Sequence, residues 1–279
     1  MTETTFRAMG TTVVLHGGVA ALARARTAFD QFERRFSRFM PDSELSAMNA
    51  TAGPTVGLSP TMAEIMEVAE DLRDRTDGVV DVGVGRAVID WGYARTFEEV
   101  RDLDQAPPPL VRPTWSTDHG VLQRSTGTTF DLGGIAKGWT CDRVVESGLA
   151  TVASAGGDVR SADPTLVVDV VDAEGDLAAE VLVGVGALAT SSIKKRRWQV
   201  ASSAAHHIVD PRTMAPVVTP IASASVVANT AAEAEAGAKA VLIQGVDGLA
   251  WADAQPWISQ AVAIWHDGNV YGTTTALAS

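Results

Sequence analysis

Phe130-Asp131-Leu132-Gly133-Gly134-Ile135-Ala136-Lys137-Gly138-Trp139-Thr140-Cys141-Asp142-Arg143 runs on into a helical stretch and then into Ser154-Ala155-Gly156-Gly157-Asp158-Val159-Arg160. Two glycine pairs, Gly133-Gly134 and Gly156-Gly157, flank a predicted helix that carries Lys137 and Asp142. A glycine pair lets backbone approach a ligand closely, because no Cβ stands in the way. A helix opening just after the first pair offers free N–H groups and a positive dipole end, which suits a phosphate. Either pair alone reads equally as a tight turn beside a packing helix.

The surrounding chain gives mixed secondary structure. Residues 4–16 alternate and end in Gly17-Gly18, as a strand broken around Met9-Gly10. Val19, Leu22, Ala25, Phe29, Phe32 and Phe36 keep steps of three and four, so 19–36 is an amphipathic helix. The same spacing from Met62 to Leu72 predicts a helix over 60–75, with Ser59 and Pro60 at its start. Asp42-Ser43 opens a short helix. Residues 104–116, rich in proline, are expected as an extended surface connection. Strands are expected near 165–171, 179–184, 198–203, 221–228 and 259–266, with Asp267-Gly268 turning into a last strand at 269–273. Thr230 to Leu242 is Ala- and Glu-rich and reads as a helix. Runs of strands broken by a few helices, without regular βαβ alternation, point to an α+β fold.

Composition bounds the function. The 279 residues are 46% apolar and 20% charged, as in an ordinary globular chain. The net charge of -12 argues against nucleic-acid backbone or anionic lipid as main partners. A phosphate ligand then needs a local cluster of donors. The single cysteine, Cys141, excludes an internal disulfide and reads as a small buried filler. The first residues lack a basic segment followed by an apolar core, so no signal peptide, no membrane insertion and a cytoplasmic location are expected.

Other segments carry chemistry-bearing residues. Trp91 and Tyr93 among glycines either frame a planar ligand or fill a core. Lys194-Lys195-Arg196-Arg197 is the one concentrated basic run, and a solvated loop explains such a run. His206-His207 followed by Asp210-Pro211-Arg212-Thr213 joins a titratable base, a carboxylate and a phosphate-matching guanidinium. Glu235 and Lys239 lie one helical turn apart, which by itself reads as an exposed ion pair of about 0.3–0.5 kcal/mol.

In order along the chain, Met9-Gly10-Thr11, Ser37-Arg38-Phe39 with Pro41-Asp42-Ser43-Glu44-Leu45, Trp91-Gly92-Tyr93, Asp131 to Gly138 with Asp142, Gly156-Gly157-Asp158, Ala189-Thr190-Ser191 and His207 to Thr213 form one pattern. The chain in this respect resembles the ApbE family of FAD:protein FMN transferases. The D-L-G-G-I-A-K-G and H-I-V-D-P-R-T segments are the specific ones.

The resemblance implies one ApbE-like (T-fold-like) domain over 1–279, or two intimate lobes with an FAD site between them, with mixed or antiparallel sheets flanked by helices. It implies FAD as substrate, held by Met9, Gly10, Thr11, Phe39, Glu44, Trp91, Gly133, Gly134, Lys137, Asp142, Gly156, Gly157, Asp158, Thr190 and Ser191. A threonine of an acceptor protein attacks the FMN-side phosphorus, FMN becomes phosphoester-linked to it, and AMP leaves. His207 is the implied base or proton shuttle, with Asp210 and Arg212 holding its loop. Magnesium is implied on the Ala136 carbonyl and on an Asp and a Thr of a late A-D-A-L-A-T-A helix. Here Glu235 and Lys239 stand at those two positions. Thr to Lys removes a ligand and adds an ammonium, so this metal site is expected to be weakened, with the Lys239 ammonium able to take the cation's place. Met214-Ala215 replaces the family's common glycine after D-P-R-T. Two alternatives stay open: an FAD pyrophosphatase giving FMN and AMP, and a non-catalytic FAD-binding protein.

Overall fold

Met9 and Gly10 both take positive φ, 52° and 69°, and fold strand Thr2–Ala8 back onto strand Thr11–Gly17. Two successive left-handed residues are what a two-residue hairpin with the native twist requires. The structure, a computed structural model, describes residues 2–273. Its described chain divides into two compact units, one of residues 2–33, 135–195 and 219–273, the other of 34–134 and 196–218.

The first unit holds an eight-stranded antiparallel sheet. Its order is Thr2–Ala8, Thr11–Gly17, Val152–Ala155, Asp158–Ser161, Gly186–Ser192, Ile221–Ala228, Ile258–Trp265 and Val270–Gly272. Helix Ala231–Gln244 packs on Gly186–Ser192 and Ile221–Ala228, and against helix Ala136–Glu146. Small residues permit this closeness. A Cβ at Gly237 would stand 2.9 Å from Val226, and one at Gly138 would stand 2.6 Å from the Ala231 carbonyl oxygen. Thr230 caps the later helix in a box with Glu233. Almost all of its face is buried, so its alanines are core and not solvent-facing filler. The core continues under helix Val19–Phe36 through Leu22, Ala25 and Phe29, as its periodicity predicts. Cys141 is buried there, a free thiol.

The second unit contains helices Glu44–Ala50, Pro60–Arg75 and Gly85–Asp90, and a three-stranded sheet ordered Thr55–Gly57, Val121–Arg124, Trp115–Asp118. Ser43 and Ser59 are the N-caps that the sequence predicts. Two expectations are corrected here. Residues 104–116 do not stay at the surface throughout: Trp115 opens a strand, is buried, and donates its indole N–H to Asp81 at 2.8 Å. The strand expected over 198–203 is a hairpin, Arg197–Val200 paired with Ser203–His206. Ala201 makes that turn at φ 52°, and with no glycine there the sequence carries no turn signal. The remaining expected elements form, with shifts of a residue or two at their ends. No helix among the described residues is long and apolar enough to cross a membrane.

Candidate functional site

The predicted residues fall into two sets, one on each unit. On the first unit, Gly156 and Gly157 turn strand Val152–Ala155 into strand Asp158–Ser161 with φ of 65° and 107°. A Cβ on Gly156 would stand 2.5 Å from the Thr11 hydroxyl oxygen, so the turn sits directly against Thr11. The next residue, Asp158, is buried and its Oδ2 lies 3.1 Å from Lys137 Nζ.

Lys137 reaches a second carboxylate as well. Its Nζ donates to Glu235 Oε1 at 2.6 Å, and Lys239 Nζ donates to the same oxygen at 3.1 Å. Glu235 Oε2 accepts the Gly138 backbone N–H at 3.2 Å, near the start of helix Ala136–Glu146. The expectation of an exposed Glu235–Lys239 pair is therefore wrong, because the Glu235 side chain is only 2% exposed. The alanine-rich helix that carries it is central to the unit, and periodicity cannot separate that case from a surface helix. Burial pushes the Glu235 carboxyl up, but the ammoniums of Lys137 and Lys239 overrule it and hold its pKa down to about 2. Burial and the nearby Glu235 charge raise Asp158 to about 6, against the pull of Lys137 and Lys239. Burial would lower the Lys137 ammonium, yet Asp158 and Glu235 leave it raised.

Asp142 has a different task. Its Oδ1 accepts the Ala231 N–H at 2.7 Å and its Oδ2 the Ala232 N–H at 3.0 Å, with Arg160 Nε 3.3 Å from Oδ1. A buried carboxylate thus closes the N-terminus of helix Ala231–Gln244. Burial pushes its pKa up to about 7, while these N–H groups and Arg160 pull it down. Thr190 and Ser191 lie on strand Gly186–Ser192, where Thr190 Oγ1 and Ser225 Oγ are 2.8 Å apart.

These residues do not fit a magnesium ion on Ala136 and Glu235. Glu235 Oε1 is shared by two ammoniums, Lys239 brings a cation where a ligand oxygen is needed, and the Ala136 carbonyl accepts the Thr140 hydroxyl at 2.7 Å. Among the described residues no group of three or more His, Cys, Asp or Glu side chains is arranged to hold a metal ion.

On the second unit, Phe39 is partly exposed and its ring centroid lies 5.7 Å from that of Tyr93, edge-on. Tyr93 stacks on Trp198 at 5.8 Å and meets the His207 ring edge-on at 6.3 Å. Burial raises the Tyr93 phenol pKa. Trp91 donates its indole N–H to the Met214 carbonyl at 2.9 Å and packs on the core containing Tyr93, Trp198 and Val209. Glu44 receives Arg35 at 2.9 Å and the Ser59 N–H at 3.2 Å. Gly133 donates its N–H to Asp131 Oδ1 at 2.7 Å, which shapes the first glycine pair, Gly133-Gly134. Asp210 takes the Arg212 backbone N–H at 2.9 Å and clasps its guanidinium at 2.7 Å, closing the D-P-R-T turn. Met214 follows at φ 53°, the conformation that glycine favours at this place.

Sequence reading missed Arg38. Its Nε donates to Asp131 Oδ2 at 2.7 Å, and its guanidinium lies 4.2 Å from the Phe39 ring centroid and 4.9 Å from that of Tyr93. Its Nη2 is buried without a hydrogen-bond partner among the described residues. The signal was present only as adjacency, since Arg38 sits inside the S-R-F motif. A cavity of about 310 Å³ also lies in this unit, lined by Gly83, Arg86, Pro113, Thr128 and Met214 among others. None of the predicted flavin residues lines it.

Known proteins share this chain's sequence and fold. A Rhodobacter capsulatus protein named FAD:protein FMN transferase is 30% identical over 96% of this chain, which spans 56% of that protein's length. A Treponema pallidum protein of the same name is 27% identical over 82% of this chain and 72% of its own length. The crystal structure of the ApbE protein from Thermotoga maritima superposes with a TM-score of 0.86 at 24% identity, covering 98% of this chain and 97% of that one. The flavin transferase ApbE from Vibrio cholerae gives 0.77 at 22% identity, covering 99% and 98%. These likenesses carry the fold, an α+β architecture built on a large antiparallel sheet. Residues 9–262 match the model of the ApbE family, and the chain belongs to that family.

Proposed function

We propose that this protein is an enzyme that transfers the FMN part of FAD to a threonine hydroxyl of an acceptor protein and releases AMP. The observation that carries the proposal is the family match across residues 9–262, joined by relatives named FAD:protein FMN transferase. In the reaction the threonine oxygen attacks the FMN-side phosphorus. The phosphoanhydride bond breaks, AMP departs with its electron pair, and the threonine proton passes to a base. In-line displacement at phosphorus needs positioning and charge stabilisation more than covalent help from the protein.

The residues divide accordingly. The resemblance assigns Met9, Phe39 and Trp91 to the flavin, and Arg38 Nη2, buried beside Phe39 without a partner among the described residues, offers it a donor, since a buried unsatisfied donor calls for an explanation. Gly10, Thr11, Gly133, Gly134, Gly156 and Gly157 let backbone come close to the nucleotide, and Thr190 and Ser191 add hydroxyls. Lys137 sets positive charge toward the pyrophosphate, and Asp158 holds Lys137. His207 takes the threonine proton. Asp210 and Arg212 position the His207 loop, Asp142 positions helix Ala231–Gln244, and Glu44 fixes the chain after Phe39. The magnesium that the resemblance implies does not fit beside Ala136 and Glu235, where two ammoniums already hold the carboxylate.

Binding comes first and is read directly. The chain has seven tryptophans, and Trp91 is assigned beside the ring, so FAD should quench their fluorescence. No quench and no calorimetric binding at tens of micromolar FAD removes the proposal.

A further inference from the structure

Two ammoniums, Lys137 and Lys239, stand against two carboxylates, Asp158 and Glu235, within 3.1 Å contacts on the first unit. The group is layered. The carboxylate side chains are 4% and 2% exposed, whereas both lysine side chains are 18% exposed. Negative charge therefore lies inside and positive charge at the rim. With Lys239 present the four formal charges cancel. Without it the same residues carry a net negative charge, and any anionic ligand would be repelled until a cation was added.

We infer that the Lys239 ammonium is a built-in counter-cation: it excludes a divalent metal from this place and presents its charge to the pyrophosphate of FAD. The part concerning FAD rests on the function proposed above. The exclusion of a metal rests on the residues alone. An ammonium cannot ligate a cation, and it competes for the same Glu235 oxygen that a metal would need. Divalent binding there would also place three positive centres around one carboxylate oxygen.

Two titrations test this on the full chain. In the first, magnesium chloride is titrated calorimetrically into FAD-free protein, native and Glu235→Asp/Lys239→Thr. The native chain should show no binding at millimolar magnesium, and the double variant should bind it. In the second, FAD affinity is measured with magnesium and with a chelator. Native affinity should agree within about twofold between the two conditions. Lys239→Met should weaken binding in chelator by about tenfold or more, the size expected for one lost charge-assisted contact. Lys239→Arg should recover most of that loss while still excluding magnesium. Millimolar or tighter magnesium binding by native protein, or a tenfold gain in FAD affinity with magnesium, overturns the inference. Failure to bind FAD under either condition overturns the functional proposal, and the magnesium titration still decides whether the metal is excluded. Should Lys239→Met not fold, the Lys239→Arg and double variants carry the comparison.

Discussion

Asp142 Oδ1 accepts the Ala231 N–H at 2.7 Å, so a side chain of one helix closes the N-terminus of the next. Ala232 N–H takes the other oxygen, and Arg160 lies within ion-pair distance. Removing this carboxylate leaves two buried donors and a charge without their partner. Asp142→Ala should cost about 3 kcal/mol in urea unfolding, and Asp142→Asn clearly less, since one amide oxygen still accepts. A loss below about 1 kcal/mol for the alanine variant would mean that water replaces the carboxylate at no cost.

His206 and His207 should part company. His206 is buried, its Nε2 is 3.0 Å from the Val217 carbonyl, and its Nδ1 accepts the Ile208 N–H at 3.3 Å. Burial, helped by nearby Arg197 and opposed by the Val217 carbonyl, lowers its pKa to about 4. The unfolded chain then binds the proton more readily. Stability is full above the ordinary histidine pKa and falls as pH drops from about 6.5 toward about 4, by up to about 3 kcal/mol. Native protein should lose stability relative to His206→Gln across that window. Parallel stability–pH curves would refute the assignment.

For His207 the expectation lies in rate. His207→Ala should reduce flavin transfer by roughly 10²–10⁴-fold while leaving FAD affinity and melting temperature close to native. His206→Ala is a stability variant and not a neutral control, because its ring holds the Val217 carbonyl. If His207→Ala lowers the melting temperature as far as His206→Ala, its effect on rate reports unfolding of the loop.

Met214 carries a backbone conformation that costs a non-glycine residue about 1 kcal/mol, and its side chain is buried. Both Met214→Ala and Met214→Gly remove that side chain, but only glycine relieves the strain. Met214→Gly should therefore be the more stable of the two by about 1 kcal/mol. The reverse order would show that the turn relaxes when the side chain is lost.

The sequence carries the elements with strong local signals. The three- and four-residue stripe from Val19 to Phe36, the Ser59-Pro60 start and the Met9-Gly10 break all form as read. What periodicity could not carry was depth. Glu235 and Lys239 have the spacing of a surface pair, yet small neighbours draw their helix into the centre of the unit. The Ala201 turn was silent because alanine rarely adopts its conformation. Likewise the roles of Asp142 and Glu44 within the protein depend on chain segments 89 and 15 residues away, and no spacing rule reports them.

Gly156 offers a test of the nucleotide-side turn. It has φ 65°, and an added Cβ would stand 2.5 Å from Thr11 Oγ1. Gly156→Ala should cost about 1–3 kcal/mol in stability and weaken FAD binding more than Gly127→Ala, a positive-φ glycine with open space around it. Equal FAD affinities for the two variants would detach this turn from the binding site.

The transfer reaction itself is the most direct test. Purified protein is incubated with FAD and a threonine-containing acceptor peptide, and the products are followed by mass spectrometry and chromatography. The account predicts that the peptide gains one FMN through its threonine, with an equal amount of AMP released, and that the threonine-to-alanine peptide gains none. Free FMN with AMP and an unmodified peptide would make the protein a pyrophosphatase, and intact bound FAD would make it a binding protein; either result would contradict the account.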